Sequence, residues 1–279
     1  MLYARIAARL FNTPLMVHPG KAEAIVSGLG GRVMGTLDDR VGRNLDQRQR
    51  RAYSMVDGVA VIPIEGTLIH KGGWIESNSG ETSYQGLQAQ VVRAARDTSV
   101  KGVVFEVDSF GGEVSGAFET ADMIHTLSRA KPTMAILTDH AYSAGYLMAS
   151  AARQIVLPEE GGAGSIGVIA VHTDMSRKIE AEGLKVTILA SGRHKADGNP
   201  YEPLPDAVAA GFMAEIDACR RTFAGRVAQY RGSRLTFDAA MATEAQCYRG
   251  EDAVKRGLAD ATGNPMDAFL AFVNAVNRN

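Results

Sequence analysis

Apolar and polar positions along the chain switch repeatedly between a period near two or unbroken apolar runs and a period near 3.6. Val59 to Ile64 is a short apolar run, Tyr84 to Arg96 has helical spacing, and Gly102 to Asp108 (Gly-Val-Val-Phe-Glu-Val-Asp) reads as a buried strand. Ser115 to Arg129 is again helical, Thr133 to Thr138 is a strand, and the small residues Ala144 to Ala152 form a helix able to pack closely on a sheet. Beyond these, the pattern predicts a helix over Thr173 to Glu182, a strand over Lys185 to Ala190, a long helix over Asp206 to Tyr230, a short one ending near Gly257, and an amphipathic helix over Pro265 to Val276. Strands alternating with helices predict an α/β fold with a largely parallel sheet.

The first 55 residues differ. Tyr3 to Phe11 and Pro19 to Leu29 carry amphipathic helical periods, and Gly35 to Arg51 is a polar stretch of linker character. The expected organisation is a helical arm and linker over 1–55, a core over 56–263 and a C-terminal helix over 264–279. The arm and the terminal helix have two readings, packing on the core or docking neighbouring subunits.

Composition narrows the classes. At 279 residues and 46% hydrophobic content, the chain is long enough to bury one sizeable core. A net charge of −1 argues against wholesale nucleic-acid binding; Asp46-Gln47-Arg48-Gln49-Arg50-Arg51 reads as a solvated linker. Two cysteines, Cys219 and Cys247, permit one bridge at most and are expected to be reduced, which favours a cytoplasmic setting. Arg5 and Arg9 interrupt any signal-peptide core, and no apolar run reaches the roughly 18 residues of a membrane span. A soluble protein without membrane or metal partners is expected.

Candidate chemistry centres on Ser143, in the tight turn Tyr142-Ser143-Ala144-Gly145 between a strand and a helix, and on Lys195, 52 residues on and just past the predicted strand 185–190. A serine hydroxyl becomes a useful nucleophile when a neighbouring base takes its proton, and a neutral, desolvated lysine amine can be that base. An ordinary lysine, with a pKa of about 10.4, is protonated at pH 7, so the role requires burial against apolar neighbours. Ser109-Phe110-Gly111-Gly112 follows the Gly102 strand directly. Paired glycines there let backbone N–H groups face a ligand, and the N–H groups of Gly112 and Ala144 are the candidate oxyanion hole, with Gly111 setting the turn. The spacing fits neither nucleotide-binding glycine fingerprint.

With Gly164-Ser165-Ile166-Gly167-Val168 added, the four segments together resemble the signal peptide peptidase A family of serine proteases, from about Val59 to Gly263. The family's Asp-Ser-x-Gly-Gly turn matches Asp108 to Gly112, its nucleophile Ser143, its Gly-Ser-Ile-Gly-Val block Gly164 to Val168, and its base Lys195. The resemblance implies a ClpP/crotonase-like spiral of stacked ββα units, a Ser-Lys dyad, a lysine-orienting hydroxyl at Ser165, a homo-oligomer, and no cofactor. Ala4 to Leu15 and Lys195 to Leu204 are similar to the bacteriophage and prophage branch, the capsid assembly proteases. That branch implies a protein substrate such as capsid scaffold or portal protein, cleaved inside the prohead in the host cytoplasm.

Rival readings remain. His140 with Asp139, His172 or His194 could make a Ser-His-Asp triad, although His140 is only three residues before Ser143 and His194 points away from Lys195 in an extended segment. A crotonase-type acyl-CoA enzyme would share the fold and oxyanion hole. A cellular-type signal-peptide peptidase and a silent capsid-assembly protein complete the set.

Overall fold

The computed structural model describes residues 14–19, 53–71 and 80–278. The helical periods expected at Tyr3 to Phe11 and Pro19 to Leu29 and the linker Gly35 to Arg51 lie outside the described residues, Pro19 alone excepted. In chain order the elements are β1 (Leu15–Val17), β2 (Ser54–Val56), β3 (Val59–Ile69), β4 (Glu81–Ser83), α1 (Tyr84–Arg96), β5 (Gly102–Glu113), α2 (Ala117–Ala130), β6 (Thr133–Tyr142), α3 (Ala144–Ser150), β7 (Gln154–Leu157), β8 (Gly162–Gly164), α4 (Ser176–Ala181), α5 (Asp206–Arg231), α6 (Phe237–Ala242), β9 (Cys247–Arg249), α7 (Gly250–Lys255), β10 (Ala261–Thr262) and α8 (Pro265–Arg278).

Strands β3, β5 and β6 carry the architecture because each is long enough to serve two layers. Their first halves form a parallel sheet in the order β10-β7-β6-β5-β3, with β2 antiparallel at the edge. Register shifts between Glu65 and Thr67 and between Val107 and Ser109 then bend the second halves away. There β3 pairs with β4, β5 with β1, and β6 with β8, which also takes the antiparallel β9. This turn of one layer into the next is the ββα spiral. The periodicity predicted only the first halves, ending at Ile64, Asp108 and Thr138, because the bent halves contain Gly66, Gly111 and His140 and lose the apolar run.

Both faces of the first layer are covered, which is why its strands read as continuous apolar runs rather than alternating ones. Helices α1, α2 and α3 cover one face, burying Leu87, Val91, Ile124, Leu127 and Leu147. Ser83 caps α1, its Oγ accepting from Gly86 N–H at 3.1 Å. On the other face α8 packs in cis, with Phe272, Val273 and Val276 against Val59, Val104, Met134 and Ile136.

Two expectations are corrected. Lys185 to Ala190 forms no strand, and every residue from 180 to 195 is exposed, including Leu184, Val186, Ile188 and Leu189. Its apolar alternation suits a strand, but these residues pair with no strand among the described residues. The helix expected over Thr173 to Glu182 is limited to α4.

A buried ion pair holds the base of α3's surroundings. Arg231, 1% exposed, donates to both Asp260 carboxylate oxygens at 2.9 and 3.0 Å and through Nε to Gly257 O at 2.9 Å. Nearby, the Tyr146 hydroxyl on α3 donates to Leu258 O at 2.9 Å. Burial pushes the Asp260 carboxyl up, but the hydrogen bonds and charge of Arg231, the Ile155 N–H and Arg234 outweigh it and hold the group below its ordinary range. Arg231→Ala is expected to destabilise the fold by less than the roughly 3–5 kcal/mol of a fully buried broken pair, because Asp260 is 21% exposed and keeps Arg234 and the Ile155 N–H as partners. A depressed carboxylate contributes stability above its unfolded value of about 3.9 and loses it as pH falls through the folded value. Urea melts between pH 7 and 3 should therefore show an acid-side loss in wild type that is smaller in Arg231→Ala.

Candidate active site

Strand β6 ends at Tyr142, whose partner across the β6–β8 ladder is Gly164. The chain then turns sharply into α3, and Ser143 takes φ 55° and ψ −123° at the turn. A non-glycine residue held there costs about 1–3 kcal/mol, which the surroundings must offset. They do so through Ser143 N–H donating to Gly164 O at 2.9 Å and Leu147 N–H donating to Ser143 O at 3.0 Å. Ser143 is 1% exposed, and its Oγ has no hydrogen-bond partner among the described residues. A buried hydroxyl without a partner is costly unless the site uses it.

Around this hydroxyl the fold collects most of the expected residues. Ala144 opens α3, fully buried, with an N–H that by position has no partner within the helix. Gly111 has φ +98°, and the point where its Cβ would stand is 2.9 Å from Ser143 Cβ and 3.0 Å from Ala144 N, so only glycine fits. Its N–H donates to Ser109 Oγ at 3.1 Å, and Ser109 Oγ donates to Gly66 O at 2.6 Å. Gly111 thus shapes the turn beside Ser143 and Ala144. Gly112 lies within the same strand end, opposite Leu68 and Met16.

Ser165 is next to this group, one residue past the Gly164 carbonyl that holds Ser143 N–H. It is buried at φ 56°, with its N–H donating to Gln246 O at 3.0 Å. Its hydroxyl engages the Cys247 thiol; burial raises that thiol's pKa, and the Ser165 hydrogen bond and Arg249 oppose the rise. Lys195 is not brought to Ser143. It is exposed, and its side chain makes no hydrogen bond or ion pair among the described residues.

The histidines do not replace it. His140 Nδ1 is 3.1 Å from Asp139 Oδ1, but the contact lacks hydrogen-bond geometry, and the ring stacks on Tyr142 at 5.0 Å. His194 is exposed and bonded to Asp197 at 2.8 Å. Neither of these nor His172 bonds to Ser143 Oγ. Among the described residues no cluster of three His, Cys, Asp or Glu side chains could hold a metal, and no helix is long and apolar enough to cross a membrane.

Three contributors escaped the sequence reading. Ser109 was legible in part, since a hydroxyl two residues before a glycine pair commonly bonds the turn backbone. Cys247 carried no local signal, because it arrives through the β8–β9 pairing. Strand β1 reaches the site from the segment expected to be an arm.

A spiral of stacked ββα units with a serine on a strained strand-to-helix turn places the chain among the ClpP/crotonase-like proteins. A putative enoyl-CoA hydratase/isomerase from Acinetobacter baumannii has this fold, with a TM-score of 0.50 at 12% identity over 81% of this chain and 80% of that one. Within that class the chain belongs to peptidase family S49, whose family model matches residues 125–277. It is 37% identical, over 99% of its length and 58% of the relative's, to the head-tail preconnector protein GP5 of Enterobacteria phage P21. It is 36% identical, over 98% of its length and 66% of the relative's, to capsid assembly protease C of Escherichia phage lambda. The chain thus spans about three fifths to two thirds of these relatives.

Proposed function

We propose that the protein is a serine endopeptidase with a Ser143–Lys195 dyad that cleaves scaffold, portal or other capsid proteins as a phage prohead matures in the host cytoplasm. The observation that carries this reading is the buried, unpartnered Ser143 Oγ on its strained turn, beside the Gly111 turn and the first N–H of α3 at Ala144. Similarity to a protein named as a capsid assembly protease supports the substrate class.

In this mechanism Ser143 Oγ attacks the scissile carbonyl carbon while Lys195 Nζ takes the hydroxyl proton. The carbonyl oxygen becomes an oxyanion that the N–H groups of Gly112 and Ala144 stabilise, preorganised donors of the kind that cost no reorganisation as charge develops. The C–N bond then breaks, Lys195 returns the proton to the leaving amine, and water hydrolyses the acyl-serine. Ser165, once Lys195 arrives, offers its hydroxyl to orient the amine.

Bringing an exposed lysine to a buried serine requires closing residues 184–195 over the site. Association of copies into a closed homo-oligomer supplies a reason, because Leu184, Val186, Ile188 and Leu189, the last 94% exposed, would then be buried. Burying one leucine contributes about 1.5–3 kcal/mol. Leu189→Asp is therefore expected to shift the mass seen by light scattering toward monomer and to lower peptidase activity with it; an unchanged assembly would count against this route to closure.

The test of function is to co-express wild type or Ser143→Ala with capsid, portal and scaffold proteins and map new termini by mass spectrometry. New termini that require Ser143 are expected. Identical termini in both samples would reject the reading.

A further inference from the structure

Strand β1 lies across the mouth of this site, held on both edges. Leu15 N–H donates to Ile169 O at 2.7 Å, Ile169 N–H donates back to Leu15 O at 2.9 Å, and His18 N–H donates to Phe110 O at 2.9 Å. On the β5 side the antiparallel register sets Leu15 opposite Glu113, Met16 opposite Gly112 and Val17 opposite Gly111. Three residues far from β5 in sequence, paired antiparallel between the glycine turn and the segment after Ser165, have the arrangement of a bound extended peptide.

The register brings one carbonyl to the nucleophile. The point where a Gly111 Cβ would stand overlaps the Met16 carbonyl oxygen, and the same point is 2.9 Å from Ser143 Cβ and 3.0 Å from Ala144 N. Met16 C=O therefore borders the serine and one candidate oxyanion donor, and Met16 faces the residue carrying the other. The side chains are enclosed, with Leu15, Met16 and Val17 only 5%, 0% and 5% exposed. After them the His18 ring packs against Tyr142 and Phe110, with centroids 5.5 and 6.1 Å away.

We propose that β1 is an occupant, in cis, of the substrate strand position, with Met16 seated as the residue whose carbonyl carbon Ser143 would attack, and that substrates are extended apolar segments that must displace it. The inference rests on Ser143 as the nucleophile only for the direction of the register; the pairing of β1 stands without it. The seat selects an apolar residue at the position whose carbonyl is attacked, another before it, a β-branched or similar apolar residue after it, and a ring beyond that. An incoming peptide binds only to the fraction of molecules in which β1 has left, so its apparent affinity falls by that fraction.

The test uses the full chain and a fluorescein-labelled peptide of residues 13–18, Thr-Pro-Leu-Met-Val-His, read by anisotropy. Leu15→Pro removes the N–H that bonds Ile169 O and should loosen β1. The double substitution Leu15→Cys/Ile169→Cys, at an antiparallel pair whose spacing suits a disulfide, should lock β1 when oxidised and free it when reduced. Binding to Leu15→Pro and to the reduced pair is expected to be at least about ten-fold tighter than to the oxidised pair. Equal binding to the oxidised and reduced forms would overturn the proposal even if Leu15→Pro fails to fold. Labelling of Ser143 by a fluorophosphonate in the same samples reads the nucleophile separately. Lock-dependent peptide binding without labelling would sink the serine reading alone, whereas labelling with lock-independent binding would sink the β1 assignment alone.

Discussion

Ser143→Ala is expected to lose about six orders of magnitude in kcat while keeping its fold, since a nucleophile and its base act as a unit. The structural cost of the change is small. Ser143 Oγ makes no hydrogen bond among the described residues, so its removal leaves no partner unsatisfied. Ser143→Gly should be equally inactive yet more stable by about 1 kcal/mol, because glycine relieves the strain of φ 55°. Thermal melts and peptide turnover on the two variants check both halves together. A Ser143→Gly protein less stable than wild type would show that the turn is not strained, and near-wild-type turnover by either variant would remove Ser143 from the chemistry.

Lys195→Ala and Lys195→Arg are both expected to be inactive, with Lys195→Arg the more telling. A guanidinium keeps its charge and its reach but stays protonated, so it cannot accept the serine proton. Because the base must be neutral to act, turnover should rise on the alkaline side of neutrality. His140→Ala and His194→Ala should each retain most activity, since neither ring bonds to Ser143 and His194 is already engaged with Asp197. An active Lys195→Arg enzyme, or a limb near the histidine range of about 6.5 that vanishes with one of these substitutions, would transfer the base role to a histidine. The exposed position of Lys195 adds a second expectation: activity should depend on protein concentration if closure comes with assembly.

Local rules made much of the frame legible. The apolar runs at Val59, Gly102 and Thr133 and the helical spacing at Tyr84, Ser115, Asp206 and Pro265 each mark an observed element, because burial on both sheet faces and on one helix face writes itself directly into the order of side chains. The glycine pair and the small-residue turn at Ser143 were visible for a related reason: backbone in a left-handed conformation or in close contact tolerates few residue types. What the chain order could not contain was pairing. The sharing of each long strand between two layers depends on register shifts that put an extra residue in β5 between Asp108 and Gly111 and two in β6 between Leu137 and Ala141, and the meeting of Ser143 with Gly164 and of Ser165 with Cys247 depends on β8 lying between β6 and β9. The alternation at 185–190 predicted a strand that stays unpaired, since period two reports a preference for a sheet edge and not the presence of one. Leu15–Val17 is the converse case: three apolar residues are too short a run to carry a period, and only long-range hydrogen bonds to Phe110 and Ile169 make them a strand across the site.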